Sequence, residues 1–179
     1  MAGDERLRLF CALELPRETV QGLVAWQERL LCPAGGRLVP GANLHITLAF
    51  LGSTQRGRLD DVAGALREAA GGVAPAVLTA VRYRETRSVG MVVLDDEDGR
   101  AARLAGDLGA RLERLGLYRR EKRPWLPHVT VVRFRERPRL DPPVPELGSF
   151  VSSESTVRMS VLRPTGAEYS TVESVALGG

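Results

Sequence analysis

The sequence predicts an α+β fold whose strands pair mainly antiparallel. Segments typical of strands and helices are mixed along the chain, but the regular strand–helix alternation of a doubly wound parallel sheet is missing. A short pattern also occurs twice, as LHITL at Leu44–Leu48 and as PHVTV at Pro127–Val131. Each copy comes after a predicted helix, which is the arrangement expected of two similar lobes with one central strand each. We therefore expect one domain, residues 1–179, made of two lobes.

Four elements are predicted in the first half of the chain. An apolar strand is followed by Pro16, which is typical of the first turn of a helix. A stripe of aliphatic residues, interrupted by Gln27, continues this helix until Cys32 and Pro33 end it. In order, the elements are a strand over Leu7–Glu14, a helix from Pro16 to Leu31, a strand over Leu44–Leu51 and a helix over Leu59–Ala70.

Six further elements are predicted in the second half. The polar stretch Arg82–Ser88 either continues the strand before it or forms a loop, and four prolines between Pro138 and Pro145 require an extended connection. In order, the elements are strands over Ala76–Val81 and Val89–Leu94, a helix over Arg100–Leu115, a strand over His128–Phe134, and closing strands over Thr156–Leu162 and Glu168–Leu177.

The composition is that of an ordinary globular protein, with 44% hydrophobic and 26% charged residues. Met1–Phe10 lacks the apolar core of a signal peptide, and no apolar run approaches the roughly 18 residues of a membrane span. We therefore expect a cytoplasmic protein without membrane contacts. Separately, we expect a monomer, because nothing in the sequence suggests an obligate interface. A net charge of +3 permits a polyanionic partner without demanding one. Cys11 and Cys32 lack CxxC spacing, so two reduced thiols are favoured over a disulfide or a metal pair.

His45 and His128 are the only histidines, and each is followed two residues later by a threonine, Thr47 or Thr130. Threonine accounts for nine of the 179 residues, so chance placement after both histidines is rare. Residues i and i+2 of a strand share a face, so each imidazole is predicted to lie beside a hydroxyl. One such pair is typical of a solvated strand face, but two pairs that use every histidine indicate a functional site.

The segments HITL and HVTV resemble the paired HxTx motifs of the two-histidine (2H) phosphoesterase superfamily. Their wider context, RLFCALELP, NLHITLAFLG and PHVTVVRF, resembles the bacterial and archaeal RNA 2′,3′-cyclic phosphodiesterases, also called 2′-5′ RNA ligases. The resemblance runs from about Leu7 to the end of the chain. It implies two mainly antiparallel sheets with flanking helices and pseudo-two-fold related lobes around a central cleft. It also implies an RNA or nucleotide substrate with a 2′,3′-cyclic phosphate end, and neither metal nor cofactor.

Opening a cyclic phosphate requires that water lose a proton and that the departing alkoxide gain one. Histidine suits both tasks because its ordinary pKa lies near 6.5. The resemblance implies that His45 donates the proton to the leaving 3′-oxygen and that His128 activates water, which gives a 2′-phosphomonoester. The residues alone leave open which histidine is the acid. The reverse reaction, 2′-5′ RNA ligation, uses the same site, although hydrolysis is expected to dominate in water.

Thr47, Thr130 and Arg133 are the predicted phosphate-binding residues, because charge that develops on the phosphoryl oxygens needs donors already in place. The resemblance supports Arg133, which fits the pattern HxTxxR. Strict alternation would point Arg133 away from His128, so a bulge near Val132 or a curled side chain is required.

Other residues have weaker indications. Phe50 and Trp125 are possible base-stacking residues; core packing is favoured for Phe50, and either role is open for Trp125. The charged loop Arg119–Arg123 is more typical of a solvated loop than of an RNA contact, and Tyr169 has no assigned role. Two alternative functions stay open: an RNA-end binding module without turnover, and a metal site built from both histidines and both cysteines. The metal site is disfavoured because zinc ligands usually include a pair close in sequence.

Overall fold

The computed structural model describes residues 5–32 and 35–178. Within these residues the chain forms nine strands and three α-helices. Their bounds in chain order are β1 Arg6–Leu13, α1 Arg17–Leu30, β2 Arg37–Leu38, β3 Ile46–Gln55, α2 Leu59–Gly71, β4 Ala76–Glu85, β5 Val89–Asp96, α3 Arg100–Arg114, β6 His128–Arg133, β7 Ser149–Ser152, β8 Glu154–Arg163 and β9 Gly166–Ala176.

The strands pair antiparallel, which confirms the predicted α+β class. Four strands form one half of the sheet in the order β7-β4-β5-β6, and four form the other half in the order β3-β1-β8-β9. The halves meet where β3 and β6 pair, and this pairing consists of Ile46 opposite Val129 alone. The two predicted sheets are thus joined through one residue pair. The short strand β2 adds to β6.

The helices cover one face of the sheet and bury its core. The predicted stripe of α3 is confirmed, with Leu104, Leu108 and Leu112 fully buried, although Leu115 beyond the helix end is 39% exposed. Gln27, which interrupts the stripe of α1, is buried as well. Its amide donates to the carbonyl oxygens of Val39 at 3.0 Å and Val131 at 2.6 Å. A buried amide with two partners is stable, so this side chain holds α1 against β6.

Several boundaries differ from those predicted. The stretch Arg82–Ser88 continues β4 as far as Glu85 before the turn into β5. Strand β3 begins at Ile46 and extends to Gln55. Helix α1 ends at Leu30, and the predicted stop at Pro33 lies outside the described residues. Strands β2 and β7 were not predicted, since two and four residues are too short for a periodic pattern.

Both cysteines are free, as predicted. Cys11 lies in the core, where burial raises the pKa of its thiol to about 12, whereas Cys32 is exposed. In the described part of the chain, no helix combines the length and the apolar character that crossing a membrane requires.

Candidate active site

His45 and His128 line one cleft of about 550 Å³. The cleft receives side chains from both halves of the sheet, namely from β6 and β2 in one half and from β3, β1, β8 and β9 in the other. It brings together six of the residues singled out in the sequence: His45, Thr47, Phe50, His128, Thr130 and Arg133. The two copies of the motif, far apart in the chain, therefore form one site.

The two histidines are anchored in the same way. Nδ1 of His45 donates to the carbonyl oxygen of Asn43 at 2.7 Å, and Nδ1 of His128 donates to that of Leu126 at 2.8 Å. A carbonyl can only accept, so Nδ1 keeps its proton and Nε2 is the atom left to exchange one. In His45 this Nε2 lies 2.9 Å from the Thr47 hydroxyl, which donates to the neutral ring.

A β-bulge follows each HxT segment. Strand β6 skips Val131 in its pairing with β5, and β3 skips Leu48 in its pairing with β1. Each bulge turns two successive residues toward the core, Val131 with Val132 and Leu48 with Ala49. The following residue returns to the cleft side, which is how Arg133 joins His128 and Thr130. The bulge required for Arg133 is therefore present, one residue earlier than Val132.

Phe50 is the corresponding residue of β3, and the prediction that it packs in the core is wrong. Its side chain is 47% exposed and lines the cleft. The bulge at Leu48 reverses the alternation on which the core assignment depended. The guanidinium carbon of Arg8 lies 4.8 Å from the centre of the Phe50 ring, so this aromatic face already accepts a planar cation.

Trp125 is not among the residues that line the cleft, and base stacking by this side chain is not supported. The indole is half-buried, and its Nε1 donates to the carbonyl oxygen of Thr47 at 3.1 Å. Trp125 precedes β6, whereas Thr47 lies in β3. The contact therefore links the two halves of the sheet beside the motifs.

His45 is packed against two aromatic rings that sequence reasoning did not assign. Its ring centre lies 4.9 Å from that of Phe10 and 5.6 Å from that of Tyr169. Burial lowers the pKa of His45 to about 4, and the positive charges of Arg158, His128 and Arg133 act in the same direction. The Asn43 carbonyl opposes this shift. His45 is therefore neutral at pH 7 in the unliganded protein.

An ion pair between the buried Arg158 and the half-buried Glu14 contacts the segment that leads to His45. The guanidinium of Arg158 donates through Nε to Glu14 at 2.9 Å and through a second nitrogen to the carbonyl oxygen of Ala42 at 3.4 Å. Ala42 belongs to the short 3-10 turn Gly41–Asn43 that leads to His45. Glu14 and Arg158 are 144 residues apart; Glu14 lies within the segment RLFCALELP, but no sequence signal paired it with Arg158.

The cleft is positively charged. Four arginines line it, and no carboxylate does so among the described residues; the arginines are Arg8, Arg37, Arg133 and Arg163. Such a site attracts anions. Neither cysteine lines the cleft, and in residues 5–32 and 35–178 no three His, Cys, Asp or Glu side chains lie close enough to hold one metal ion. The alternative four-ligand site is therefore not assembled in this part of the chain.

An antiparallel α+β fold with two HxT strands around an arginine-lined cleft defines a two-histidine phosphoesterase. Residues 13–88 match the family model described as LigT like Phosphoesterase. The chain is 31% identical to the RNA 2′,3′-cyclic phosphodiesterase of Thermus thermophilus, over 97% of this chain and 91% of that protein. The chain belongs to this family of LigT-like phosphoesterases.

Escherichia coli provides two further comparisons, one of sequence and one of structure. The RNA 2′,3′-cyclic phosphodiesterase of strain K12 is 29% identical over 97% of this chain and 98% of its own length. The crystal structure of E. coli LigT complexed with 3′-AMP superimposes with a TM-score of 0.80 at 27% identity, and covers 98% of this chain and 100% of that one. The similarity thus extends over both halves of the sheet.

Proposed function

We propose that this protein hydrolyses RNA 2′,3′-cyclic phosphodiester ends to 2′-phosphomonoesters by paired-histidine acid–base catalysis. The observation that carries the proposal is the equivalent anchoring of His45 and His128 in one cleft, which leaves Nε2 of each ring as the atom that can exchange a proton. Family membership supports it, because relatives from two bacteria are named RNA 2′,3′-cyclic phosphodiesterases.

In the proposed reaction, Nε2 of His128 takes a proton from water as the water oxygen attacks phosphorus. The bond from phosphorus to the ribose 3′-oxygen breaks on the opposite side, and Nε2–H of His45 gives its proton to this oxygen. A 2′-phosphomonoester with a free 3′-hydroxyl results. The imidazolium of His128 and the neutral His45 then exchange protons with solvent.

The low pKa of His45 places a condition on this mechanism. Since His45 is neutral at pH 7 in the unliganded protein, it must gain a proton when the substrate binds. The phosphate brings a negative charge that offsets Arg133 and Arg158, two of the cations that lower the pKa of His45. An opposite charge nearby favours the protonated imidazole. We therefore expect substrate binding to raise the pKa of His45 above its value in the unliganded protein, where burial is the main cause of the low pKa.

The remaining cleft residues hold the phosphate and the base. Thr47 and Thr130 donate from beside each histidine, and the Arg133 fork binds the phosphoryl oxygens as negative charge develops on them. Phe50 stacks on the terminal nucleobase, in keeping with its exposed ring in the cleft. In ligation of RNA ends, a 5′-hydroxyl takes the place of water and attacks the same phosphorus, the bond to the 3′-oxygen breaks, and a 2′-5′ bond with a free 3′-hydroxyl results. Both halves are needed for the site, so residues 1–179 act as one two-lobed domain.

Nucleoside 2′,3′-cyclic phosphates incubated with the protein in EDTA test the proposal. We expect 2′-nucleotides as products, and His45→Ala or His128→Ala should each lower kcat by about 10² to 10⁴. Arg103→Gln, an exposed change on α3, is the matched control. Binding of these nucleotides or short RNAs without any 2′-phosphate product would favour an RNA-end binding module instead.

A further inference from the structure

A second cavity of about 700 Å³ adjoins the cleft and is rich in arginine. Arg37 and Arg133 line both cavities, so the two spaces are adjacent. Arg135 and Arg137 line the second cavity further along the chain from β6, and Glu136 is the one carboxylate in its described lining. We call this cavity the arginine groove.

Arg37 and Arg133 are directly opposite each other in the pairing of β2 with β6. Side chains directly opposite in an antiparallel pair share a face, and like charges there are destabilising. In the described part of the chain, neither guanidinium lies within 4.0 Å of a carboxylate. Two facing arginines without an acidic partner form a site that an anion would stabilise.

The chain beyond β6 is held in place by a buried carboxylate. Glu85 accepts from Nε of Arg137 at 3.1 Å and from the backbone N–H groups of Arg139 at 2.9 Å and Leu140 at 2.8 Å. Arg139 has a φ of 58°, a left-handed conformation that surrounding structure must support outside glycine. The segment carrying Arg135 and Arg137 is therefore fixed along the groove.

We propose that the arginine groove binds the phosphodiester backbone on the 5′ side of the cyclic end, an inference that rests on the proposed function. The cyclic phosphate occupies the 3′ terminus of an RNA, so the rest of the strand can leave the cleft only in the 5′ direction. Arg133 contacts the reacting phosphate, while Arg37, Arg135 and Arg137 meet the phosphates that precede it. An oligonucleotide with a cyclic end is then bound by both the groove and the cleft, whereas a free cyclic mononucleotide is bound by the cleft alone.

Kinetics with two substrates test the groove. Arg135→Gln should lower kcat/KM for a pentanucleotide ending in a 2′,3′-cyclic phosphate by about fivefold, and make the slope of log kcat/KM against log salt shallower by about 0.7, the contribution of one phosphate contact on a single strand. Turnover of adenosine 2′,3′-cyclic phosphate should stay unchanged. Arg135→Lys should recover most of the loss, and Arg103→Gln should be inert. Equal losses of kcat/KM on both substrates, or no loss on the pentanucleotide, would overturn the proposal that the groove binds RNA.

Binding separates this inference from the catalytic proposal. A fluorescent pentanucleotide with a 2′-phosphate end should bind Arg135→Gln about fivefold more weakly than the wild type in low salt. If neither cyclic substrate is turned over but this difference in affinity is found, the proposed function fails and the groove stands. If both are hydrolysed but the two proteins bind the RNA equally, the function stands and the groove fails.

Discussion

Phe50 and Arg133 occupy equivalent positions in the two halves of the molecule. Each lies five residues after the motif histidine. It directly follows two successive residues whose side chains a β-bulge turns into the core. Both side chains return to the cleft, where one half presents an aromatic ring and the other a guanidinium. The two strands thus share one backbone design but supply different chemistry.

The Phe50 ring should determine how well the enzyme holds a nucleobase. Phe50→Ala should lower kcat/KM for adenosine 2′,3′-cyclic phosphate by about 10- to 100-fold, since stacking is worth about 1–3 kcal/mol per base. The free energy of unfolding should change little, because the Phe50 side chain is 47% exposed. An equal loss on ribose 2′,3′-cyclic phosphate, which has no base, would show that Phe50 acts otherwise.

Arg133 should act mainly in the transition state. Arg133→Gln should reduce kcat by about 10² to 10³, the usual effect of removing a positioned donor. Arg133→Lys should recover only part, because an ammonium lacks the guanidinium fork. The same Arg133→Gln change should raise the pKa of His45, since one nearby positive charge is lost. A kcat within twofold of the wild type would place Arg133 outside the reaction.

The Trp125 indole should matter for the alignment of the two halves. Trp125→Phe removes the N–H that donates to Thr47, which should cost about 1 kcal/mol of stability and lower kcat about tenfold. Trp26→Phe is a matched control, because the Trp26 indole donates to Pro143 at 2.9 Å outside the cleft. Steady-state kinetics and urea unfolding of both variants give the comparison. Equal kcat values would mean that Trp125 contributes to folding alone.

His45 should make stability depend on pH. Its pKa is about 4 in the folded protein and near 6.5 when unfolded, so the unfolded chain binds more protons between these values. The contribution of His45 is therefore fully present above pH 6.5 and is lost as pH falls toward 4, by up to about 3 kcal/mol. Urea unfolding at pH 7 and pH 4.5 should show a smaller difference for His45→Gln than for the wild type. A difference that His45→Gln leaves unchanged would contradict the low pKa.

NMR should detect the proton that enters with the substrate. The protein has only two histidines, so His128→Gln assigns the ring signals of His45 directly. We expect this ring to titrate near pH 4 without ligand and at a higher pH with 2′-AMP bound. If the ring keeps its low pKa in the complex, the acid is His128, and the two roles are reversed.

Patterns along the sequence predicted the motif strands and the antiparallel class, whereas the placement of the two histidines across one cleft was implied by the resemblance to the 2H phosphoesterases. The sequence also indicates the bulges. Ala49 and Val132 lie four residues after each histidine, where strict alternation would make them face the cleft, yet both are apolar. A bulge inferred from this pattern would have predicted that Phe50 faces the cleft rather than the core. By contrast, the contacts of Glu14 with Arg158 and of Glu85 with Arg139 join distant segments. No periodic pattern encodes such pairs.

The lone pairing of Ile46 with Val129 has a consequence for how such enzymes diverge. Where two sheets are joined by a long series of paired residues, many pairs fix the distance between them, and one substitution changes that distance little. Here β3 and β6 are joined by this one backbone pair and by the contact of Trp125 with Thr47, so a bulkier or smaller residue at Ile46 or Val129 can change the distance between the two imidazoles. Related enzymes can therefore adapt to leaving groups of different size through these two positions, while the HxT residues of each half stay unchanged.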